Sequence, residues 1–284
     1  MPELPEVEAL AQDLRGRLAD RAIAKVHVVA FSALKTFDPP VQALEGTMVD
    51  DVTRHGKFLD IDASGLHLIF HLARAGWIRW RDELPPVPPR PSNKSPLAVR
   101  VILDDDTGID VTEAGTKKSL AAYVVRQPSD VKGIASLGPD PLAEGFTIEP
   151  LLDGRRMQIK RLLRDQGTIA GIGNAYSDEI LHAAKLSPFA MASELSGEEV
   201  ERLDQAIHDV LTDAITAARG KAASDLKDNK RSRMRVHGRA GKECPVCGDT
   251  VAEVVFSDSS LQYCPTCQTG GKQLKDRSTS KFLK

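Results

Sequence analysis

The sequence predicts an α+β protein in which strands come first and helices follow. Three observations support this prediction: short β-type segments without intervening helices before residue 136, helical spacing of apolar residues after residue 150, and four cysteines near the end of the chain. Many short strands in succession are typical of an antiparallel sandwich or barrel. A chain of 284 residues is long enough for two domains with separate cores.

The first 136 residues are predicted to form one strand-rich domain. Val7, Leu10, Leu14 and Leu18 recur at the spacing of an amphipathic helix, and Pro5 is tolerated in its first turn. The β-type segments that follow are residues 24–29, 57–61, 66–72, 99–103 and 109–112. The proline-rich stretch 83–94 is predicted to be a loop, because proline cannot join a central strand.

A helical part is predicted after a turn-rich linker at residues 137–149. Helical spacing covers residues 150–166, 174–185 and 196–219. Ser196 and Glu199 have the spacing of a capping box at the start of the third helix. We expect this helical domain to occupy residues 150–235.

The cysteines indicate a metal site. Cys244, Cys247, Cys264 and Cys267 form two C-x2-C pairs separated by 16 residues, and the chain has no other cysteine. This spacing is typical of a structural zinc site, and disulfides are disfavoured in a reducing cytoplasm. We therefore predict a zinc module with one zinc ion at residues 236–268. Residues 269–284 are polar and Lys-rich, and are predicted to be a disordered basic tail.

Composition and charge narrow the class of protein. No apolar run approaches the length of a membrane-spanning helix, and the N-terminus lacks a secretory pattern, so we expect a soluble cytoplasmic protein. The net charge of −2 by itself argues against a nucleic-acid partner. However, residues 217–284 carry 14 Lys and Arg against 7 Asp and Glu, a net charge of +7, which leaves −9 for residues 1–216. This asymmetry indicates either a phosphate-binding module or a solvated C-terminal segment.

The chain begins with a group that can form covalent intermediates. After removal of Met1, Pro2 would present a secondary α-amine, which titrates near pH 8 and condenses with an aldehyde carbon to an iminium ion. Glu3 lies beside it, and its carboxyl can act as a general acid or base. Taken alone, a leading proline is more often an ordinary start of a chain.

A glycine-rich loop separates the first two predicted helices. Residues 167–174 contain three glycines and end at Asn174. The glycines let backbone N–H groups turn outward at the N-terminus of a helix, which makes an anion site. A tight helix–helix turn is the alternative interpretation.

Read in order, four motifs resemble one family. The opening MPELPEVE, the segment Arg54-His55-Gly56-Lys57, residues 159–188 around the glycine-rich loop, and the cysteine pairs resemble the formamidopyrimidine-DNA glycosylase / endonuclease VIII family of base-excision repair enzymes. The resemblance covers about residues 2–268. It implies an N-terminal antiparallel β-sandwich with flanking helices, then a helix–two-turn–helix domain with a β-hairpin zinc finger.

The resemblance also implies roles for individual residues. Pro2 corresponds to the nucleophile and Glu3 to the group that moves protons at the sugar. Glu6 would support the opened sugar, and Lys57 would contact DNA near the lesion and assist strand cleavage. The other residues that we assign to DNA binding are Arg54, His71, Arg74, Lys160, Gly173, Asn174 and Arg239. For Lys57 a solvated charge, and for His71 a satisfied core position, remain the alternatives.

The chain departs from the family pattern at the positions whose side chains would fill the space that a flipped-out base leaves in the duplex. Arg74 stands where the family has methionine in H-L-G-M-S-G, and residues 113–119 lack the family's Arg-Phe pair. An arginine can still fill the void by stacking on bases, or these positions have lost the role. Ser259 replaces an arginine of the zinc hairpin, and the basic segment 219–236 is shorter than the loop that closes over 8-oxoguanine. Support for 8-oxoguanine specificity is therefore weakened.

These observations favour a zinc-containing DNA repair glycosylase with associated abasic-site lyase activity. We expect a monomer that acts on double-stranded DNA with a damaged base or abasic site and is associated with the nucleoid of a bacterium. An abasic-site lyase with little base excision is the first alternative, because the nucleophile is kept and the wedge residues are not. A non-catalytic damaged-DNA-binding protein is the second. A zinc ribbon fused to an unrelated enzyme would leave the first eight residues unexplained.

Overall fold

The structure is a computed structural model that describes residues 1–85, 89–115, 117–223, 225–257 and 259–274. It divides into two compact units. The first contains Met1–Leu137 and Ile215–Asn229, and the second contains Gly138–Ala214 and the chain from Lys230 onward. Each unit therefore combines segments that are distant in sequence.

The first unit opens with helix α1 (Leu4–Leu18). Pro5 occupies its first turn, and Leu10 and Leu14 are fully buried, as their spacing predicts. The strands that follow in the described chain are β1 (Ile23–Val28), β2 (Val49–His55), β3 (Phe58–Ala63), β4 (Leu66–His71), β5 (Gly76–Arg81), β6 (Leu97–Leu103), β7 (Gly108–Glu113) and β8 (Ala121–Val125). Strands β2, β5 and β8 were not predicted; β2 is rich in charged residues, which weakens its β-type pattern.

The strands of the first unit form two antiparallel sheets. One has the order β1-β6-β7-β5 and the other β2-β3-β4-β8. Apolar side chains from α1 and from both sheets form one continuous core, in which Leu10, Leu59 and Val101 are at most 1% exposed. The predicted antiparallel β-sandwich with a flanking helix is confirmed.

The helices after β8 are α2 (Lys132–Ala135), α3 (Glu149–Leu152), α4 (Ile159–Arg164), α5 (Asn174–Ala183), α6 (Gly197–Ala218) and α7 (Leu226–Arg233). The single helix predicted for residues 150–166 is wrong: α3 and α4 are separate, and Gly154 between them has a φ of +66° that a helix cannot accommodate. Within the described chain, no helix is both long enough and apolar enough to cross a membrane.

The boundary predicted at residue 235 differs from the observed units. Ala218, Ala223 and Leu226 are buried in the core of the sandwich, so residues 215–229 belong to the first unit. Helix α7 lies in the basic segment 219–236, for which no helix was predicted. Half of the residues in this segment are charged, so its sequence has little apolar periodicity, and tertiary contacts such as the burial of Leu226 help to stabilise the helix.

The zinc module of the second unit is a β-hairpin followed by a short helix. Strands β9 (Ala252–Val255) and β10 (Ser260–Tyr263) pair antiparallel, and α8 (Pro265–Thr269) follows. The chain remains ordered beyond α8, because the Leu274 N–H donates to the Tyr263 hydroxyl at 2.7 Å. Disorder is therefore wrong for residues 269–274, while residues 275–284 of the predicted tail lie outside the described residues.

Candidate DNA-repair site

The first residues of the chain are buried at the start of α1. Glu3 and Glu6 are each 2% exposed, and the Glu3 N–H donates to the Glu6 Oε2 at 2.8 Å. The two residues form a reciprocal capping box, which holds Glu3 in an extended conformation. Pro2 is buried in front of them, and its nitrogen belongs to a peptide bond as long as Met1 is attached. The chemistry predicted for Pro2 therefore requires removal of Met1.

An ion pair connects α1 to the turn that carries Lys57. The Arg54 Nε donates to the Glu8 Oε2 at 2.9 Å, and the Arg54 Nη1 donates to the Gly56 carbonyl oxygen at 3.2 Å. The Arg54 side chain is 6% exposed. Gly56 has a φ of +56°, which favours glycine at this turn between β2 and β3. Arg54 thus connects α1, through Glu8, with the turn that carries Lys57.

His71 lies near Lys57. Phe58 and His71 are partners across β3 and β4, and their ring centroids are 4.8 Å apart. Burial lowers the pKa of His71, and the positive charge of Lys57 lowers it further. A neutral imidazole can donate one hydrogen bond to a phosphate while adding no charge. The structure therefore brings together two of the residues that the sequence singled out, Lys57 and His71.

The two segments that depart from the family pattern are neighbours. Arg74 is exposed and follows Ala73, whose φ of +52° is unusual for a residue with a Cβ. Gly76 pairs with Glu113, which places the turn after β4 beside the loop after β7. The Glu113 carboxylate organises that loop by accepting the backbone N–H groups of Ser119 and Leu120. Thr116 in the same loop lies outside the described residues.

Lys160 is buried in the second unit instead of facing solvent. Its ammonium group donates to the Asp178 Oδ1 at 2.6 Å and the Ser177 Oγ at 2.8 Å, and also to the Asn174 carbonyl oxygen at 3.2 Å. The residue is 5% exposed. These bonds hold α4 against the first turn of α5, so the geometry favours a positioning role for Lys160 over a direct phosphate contact.

Asn174 begins α5 directly after the glycine-rich loop. Its Nδ2 donates to the Ser260 carbonyl oxygen at 2.8 Å, which ties the loop to the zinc hairpin. The Asn174 Oδ1 is buried and accepts no hydrogen bond from the described residues. Gly173 precedes it in an extended conformation as the N-cap of α5. Arg239 lies at the entry of the zinc module and donates from Nη2 to the Glu243 carbonyl oxygen at 3.4 Å.

Two buried acids of α5 were missed by sequence reasoning. The Glu179 carboxylate accepts the backbone N–H groups of Arg235, Val236 and His237 at 2.8–3.0 Å. The Asp178 carboxylate accepts a hydrogen bond from the His237 ring at 2.7 Å besides its ion pair with Lys160. Burial raises the pKa of Glu179, and the three backbone N–H groups oppose that shift. The adjacent acids Asp178 and Glu179, directly before the apolar pair Ile180 and Leu181, were the available signal in the sequence.

The four cysteines have the geometry of a zinc site. Their Sγ atoms all lie within 4.8 Å of one another, with Cys247 and Cys264 3.3 Å apart and Cys244 and Cys267 3.9 Å apart. Tetrahedral zinc with bonds of about 2.3 Å to sulfur needs an S···S separation of about 3.8 Å, so the residues fit the ion. Burial raises the pKa of the metal-free Cys264 thiol to about 11, so zinc must displace a proton there. The module binds one structural zinc ion.

Comparisons with known proteins agree with this arrangement. The models of the formamidopyrimidine-DNA glycosylase N-terminal domain, of its H2TH domain, and of a zinc finger found in FPG and IleRS match residues 1–118, 137–225 and 241–270.

Two relatives and one solved structure illustrate the similarity. An uncharacterized formamidopyrimidine-DNA glycosylase-like protein of Mycobacterium tuberculosis is 56% identical over 150 residues, 52% of this chain and 95% of that protein. The formamidopyrimidine-DNA glycosylase of Pelotomaculum thermopropionicum is 36% identical over 94% of this chain and 99% of its own. The crystal structure of the MutM (Fpg) protein from Thermus thermophilus has a TM-score of 0.78 and 29% identity, and covers 96% of this chain and 100% of its own.

Proposed function

The chain belongs to the formamidopyrimidine-DNA glycosylase family, and we propose that it is a DNA repair glycosylase with associated abasic-site lyase activity. The observation that carries the proposal is the N-terminus. Pro2 and Glu3 are held at the start of α1 by the Glu3–Glu6 capping box, and Arg54 connects the same helix, through Glu8, with the turn that carries Lys57.

Pro2 is the nucleophile in the proposed reaction. Its amine, free after removal of Met1, attacks C1′ of the damaged nucleotide, and the C1′–base bond breaks. Glu3 moves protons at the sugar and so favours departure of the base and opening of the ring. The resulting iminium acidifies the C2′ proton, and loss of that proton expels the 3′-phosphate by β-elimination. Elimination of the 5′-phosphate can follow.

In this proposal, Lys57, His71 and the backbone at Gly173 bind the phosphates of the DNA. Lys57 lies near His71 and supplies positive charge, whereas His71 supplies a neutral donor. In the second unit, the backbone around Gly173 at the N-terminus of α5 suits a phosphate, because a helix N-terminus carries partial positive charge. Lys160 and Arg54 support these groups from the interior. The substrate is DNA that contains a damaged base or an abasic site.

A narrower activity is supported by a specific observation. Arg74 and the loop after β7, which holds Lys117 and Lys118, lie side by side in place of the family's methionine and aromatic wedge. An abasic site has no base to swing out, so its binding depends least on a wedge side chain. The second candidate function is therefore an abasic-site lyase with little base excision.

Covalent trapping distinguishes these functions. The Met1-processed protein is incubated with duplexes that carry an abasic site, 8-oxoguanine, a formamidopyrimidine or an oxidised pyrimidine, and borohydride is added. Adducts on modified bases support the glycosylase, and an adduct on the abasic duplex alone supports the lyase. No adduct on any duplex would contradict both and favour a non-catalytic DNA-binding protein.

Two controls identify the nucleophile. The same protein with an uncleaved N-terminal extension keeps every side chain but blocks the Pro2 nitrogen, and should give no adduct. Pro2→Gly replaces the secondary amine with a primary one and should retain at most weak trapping. Trapping that is unchanged by the extension would mean that a lysine, and not Pro2, forms the iminium.

A further inference from the structure

One face of α5 is directed at the zinc module. Asp178, Glu179 and His182 are spaced so that they share this face, and each is at most 5% exposed. The two acids bind the chain that enters the module, as described above. His182 reaches the metal site itself, since its Nε2 lies 3.3 Å from the Cys244 Sγ.

The zinc site determines the direction of this hydrogen bond. A cysteine that ligates zinc is a thiolate and has no proton to donate. The His182 Nε2 must therefore carry the hydrogen and donate it to sulfur. The His182 Nδ1 is buried and has no hydrogen-bond partner among the described residues, so no acceptor competes for the proton.

The thiolate needs such a donor because it is buried. Zinc with four thiolates carries a net charge of −2, and Cys244 is only 2% exposed. Cys244 packs with Val236 and Val251, which offer no polar side chain to its sulfur. Buried charge is costly unless hydrogen bonds compensate it. Cys247, by contrast, is exposed to solvent.

We propose that His182 is an outer-sphere residue of the zinc site, which donates its Nε2–H to the Cys244 thiolate and thereby slows loss of the metal. The hydrogen bond withdraws electron density from sulfur and offsets part of the cluster's negative charge. It also attaches the metal site directly to α5, the helix whose first turn holds Asn174. The proposal concerns metal retention and does not depend on the proposed DNA chemistry.

Metal release from the full-length zinc protein tests this role. Partners that orient metal ligands typically change metal affinity by about 10–100-fold, so His182→Phe should release zinc to a chromophoric chelator faster by a factor in that range. His182→Gln keeps an N–H at a similar reach and should restore most of the retention. His208→Gln changes a histidine whose side chain is 66% exposed, and should behave as the unmodified protein.

Cobalt substitution gives a readout that a merely structural role would not alter. Loss of a hydrogen bond makes the thiolate more electron-rich, so the sulfur-to-cobalt charge-transfer band should move to longer wavelength in His182→Phe and not in His182→Gln. A folded His182→Phe protein with an unchanged band and an unchanged rate of zinc release would overturn the proposal.

A measurement on the unmodified protein covers the case in which His182→Phe does not fold. Nitrogen-15 NMR of the zinc-bound protein should show the His182 ring protonated on Nε2 and unprotonated on Nδ1. In the cadmium-113 protein, the Nε2–H should also show scalar coupling to the metal through sulfur. Protonation on Nδ1 alone would refute the hydrogen bond and with it the proposal.

Discussion

At the scale of single residues, the surroundings of His71 determine which protonation state of its ring is favoured, which the sequence alone does not show. A histidine near the end of a strand can be a core residue or a ligand contact. Here half-burial beside Phe58 and the nearby charge of Lys57 both lower its pKa, so the neutral ring is favoured. The same environment suits a phosphate donor and predicts a measurable dependence of stability on pH.

The folded protein should lose stability through His71 as the pH falls below about 6.5. The unfolded chain binds a proton at this residue near its ordinary pKa of 6.5, whereas the folded state resists protonation, so the unfolded state gains the proton first. Above that pH both states are neutral and the contribution vanishes. Urea unfolding at pH 7.5 and 5.5 should show a smaller decrease for His71→Gln than for the unmodified protein. An equal decrease in both, or an NMR pKa above 6.5 for His71, would contradict this expectation.

Ala73, which precedes the predicted DNA-binding residue Arg74, has an unfavourable backbone conformation. Its left-handed backbone, with a φ of +52°, is normally reserved for glycine, and the family pattern has glycine at that position. An alanine therefore stands in a backbone conformation that glycine adopts more readily, directly before the exposed Arg74.

At the scale of elements, the described ion pairs Arg54–Glu8 and Arg15–Asp51 both connect α1 with β2, and the first is the more buried. Arg54 and Glu8 are 6% and 24% exposed, whereas Arg15 and Asp51 are 46% and 47% exposed. A buried partner that loses its counter-charge is costly, while exposed pairs contribute little. The buried pair also holds the Gly56 carbonyl beside Lys57, so its effect should extend to the site.

Arg54→Gln should lower the free energy of unfolding by about 2 kcal/mol, because Glu8 would remain partly buried without its counter-charge. It should also slow adduct formation by Pro2, since the Lys57 turn would lose its attachment to α1. The matched control Arg15→Gln should cost less than about 1 kcal/mol and leave trapping unchanged. Equal losses for the two variants, measured by denaturant unfolding, would show that burial of the pair is unimportant.

The zinc module is an element that depends on its metal. Its strands β9 and β10 have four residues each, and a two-stranded hairpin of this size is marginal in water. Two members of its small core, Cys244 and Cys264, are themselves zinc ligands. The sandwich, in contrast, has a core of its own.

Removal of zinc by a chelator should therefore disorder residues 244–267 and leave the sandwich folded. Amide hydrogen exchange should lose protection in β9 and β10 and keep it in β3 and β4. Affinity for DNA should fall at the same time, because the Ser260 carbonyl that binds Asn174 lies on the hairpin. Zinc-free protein that binds DNA as tightly as the zinc protein would argue against a role of the module in binding.

At the scale of the whole molecule, charge is distributed unevenly along the chain. The net charge is −2, but residues 217–284 have a net charge of +7. A protein of this kind can bind a polyanion only through selected surfaces, because its acidic part repels phosphate. Helix α7 has Lys230, Arg231 and Arg233 in its last turn, so we predict that it is one such surface.

The affinity for DNA should fall steeply with salt, with a slope of about −0.9 in log K against log salt for each phosphate neutralised. Exchanging both Arg231 and Arg233 for glutamine should reduce the magnitude of this slope by up to about 2. Arg126→Gln, which removes an exposed charge from the sandwich, serves as the control and should leave the slope unchanged. An equal change for both proteins, measured by titration at several salt concentrations, would mean that α7 has no special role.

Local patterns in the sequence were sufficient for the fold class, the helices at residues 174–185 and 196–219, and the zinc site. The C-x2-C pairs are close in the chain, and the apolar spacing of a helix is a local property, so neither requires knowledge of distant residues. The order of motifs was likewise enough to indicate the family. The roles assigned to Pro2, Glu3 and the DNA-binding residues stay predictions.

Only the tertiary structure decided which charged side chains are available and which are held in the interior. Arg54 binds Glu8 across 46 residues, Lys160 binds Asp178, and Glu179 binds a segment 56 residues away. The periodic spacing of apolar residues in the sequence does not reveal such partners, because burial depends on how distant elements pack. The segment at residues 215–229 joined the sandwich for the same reason, since Ala218, Ala223 and Leu226 find their apolar partners there.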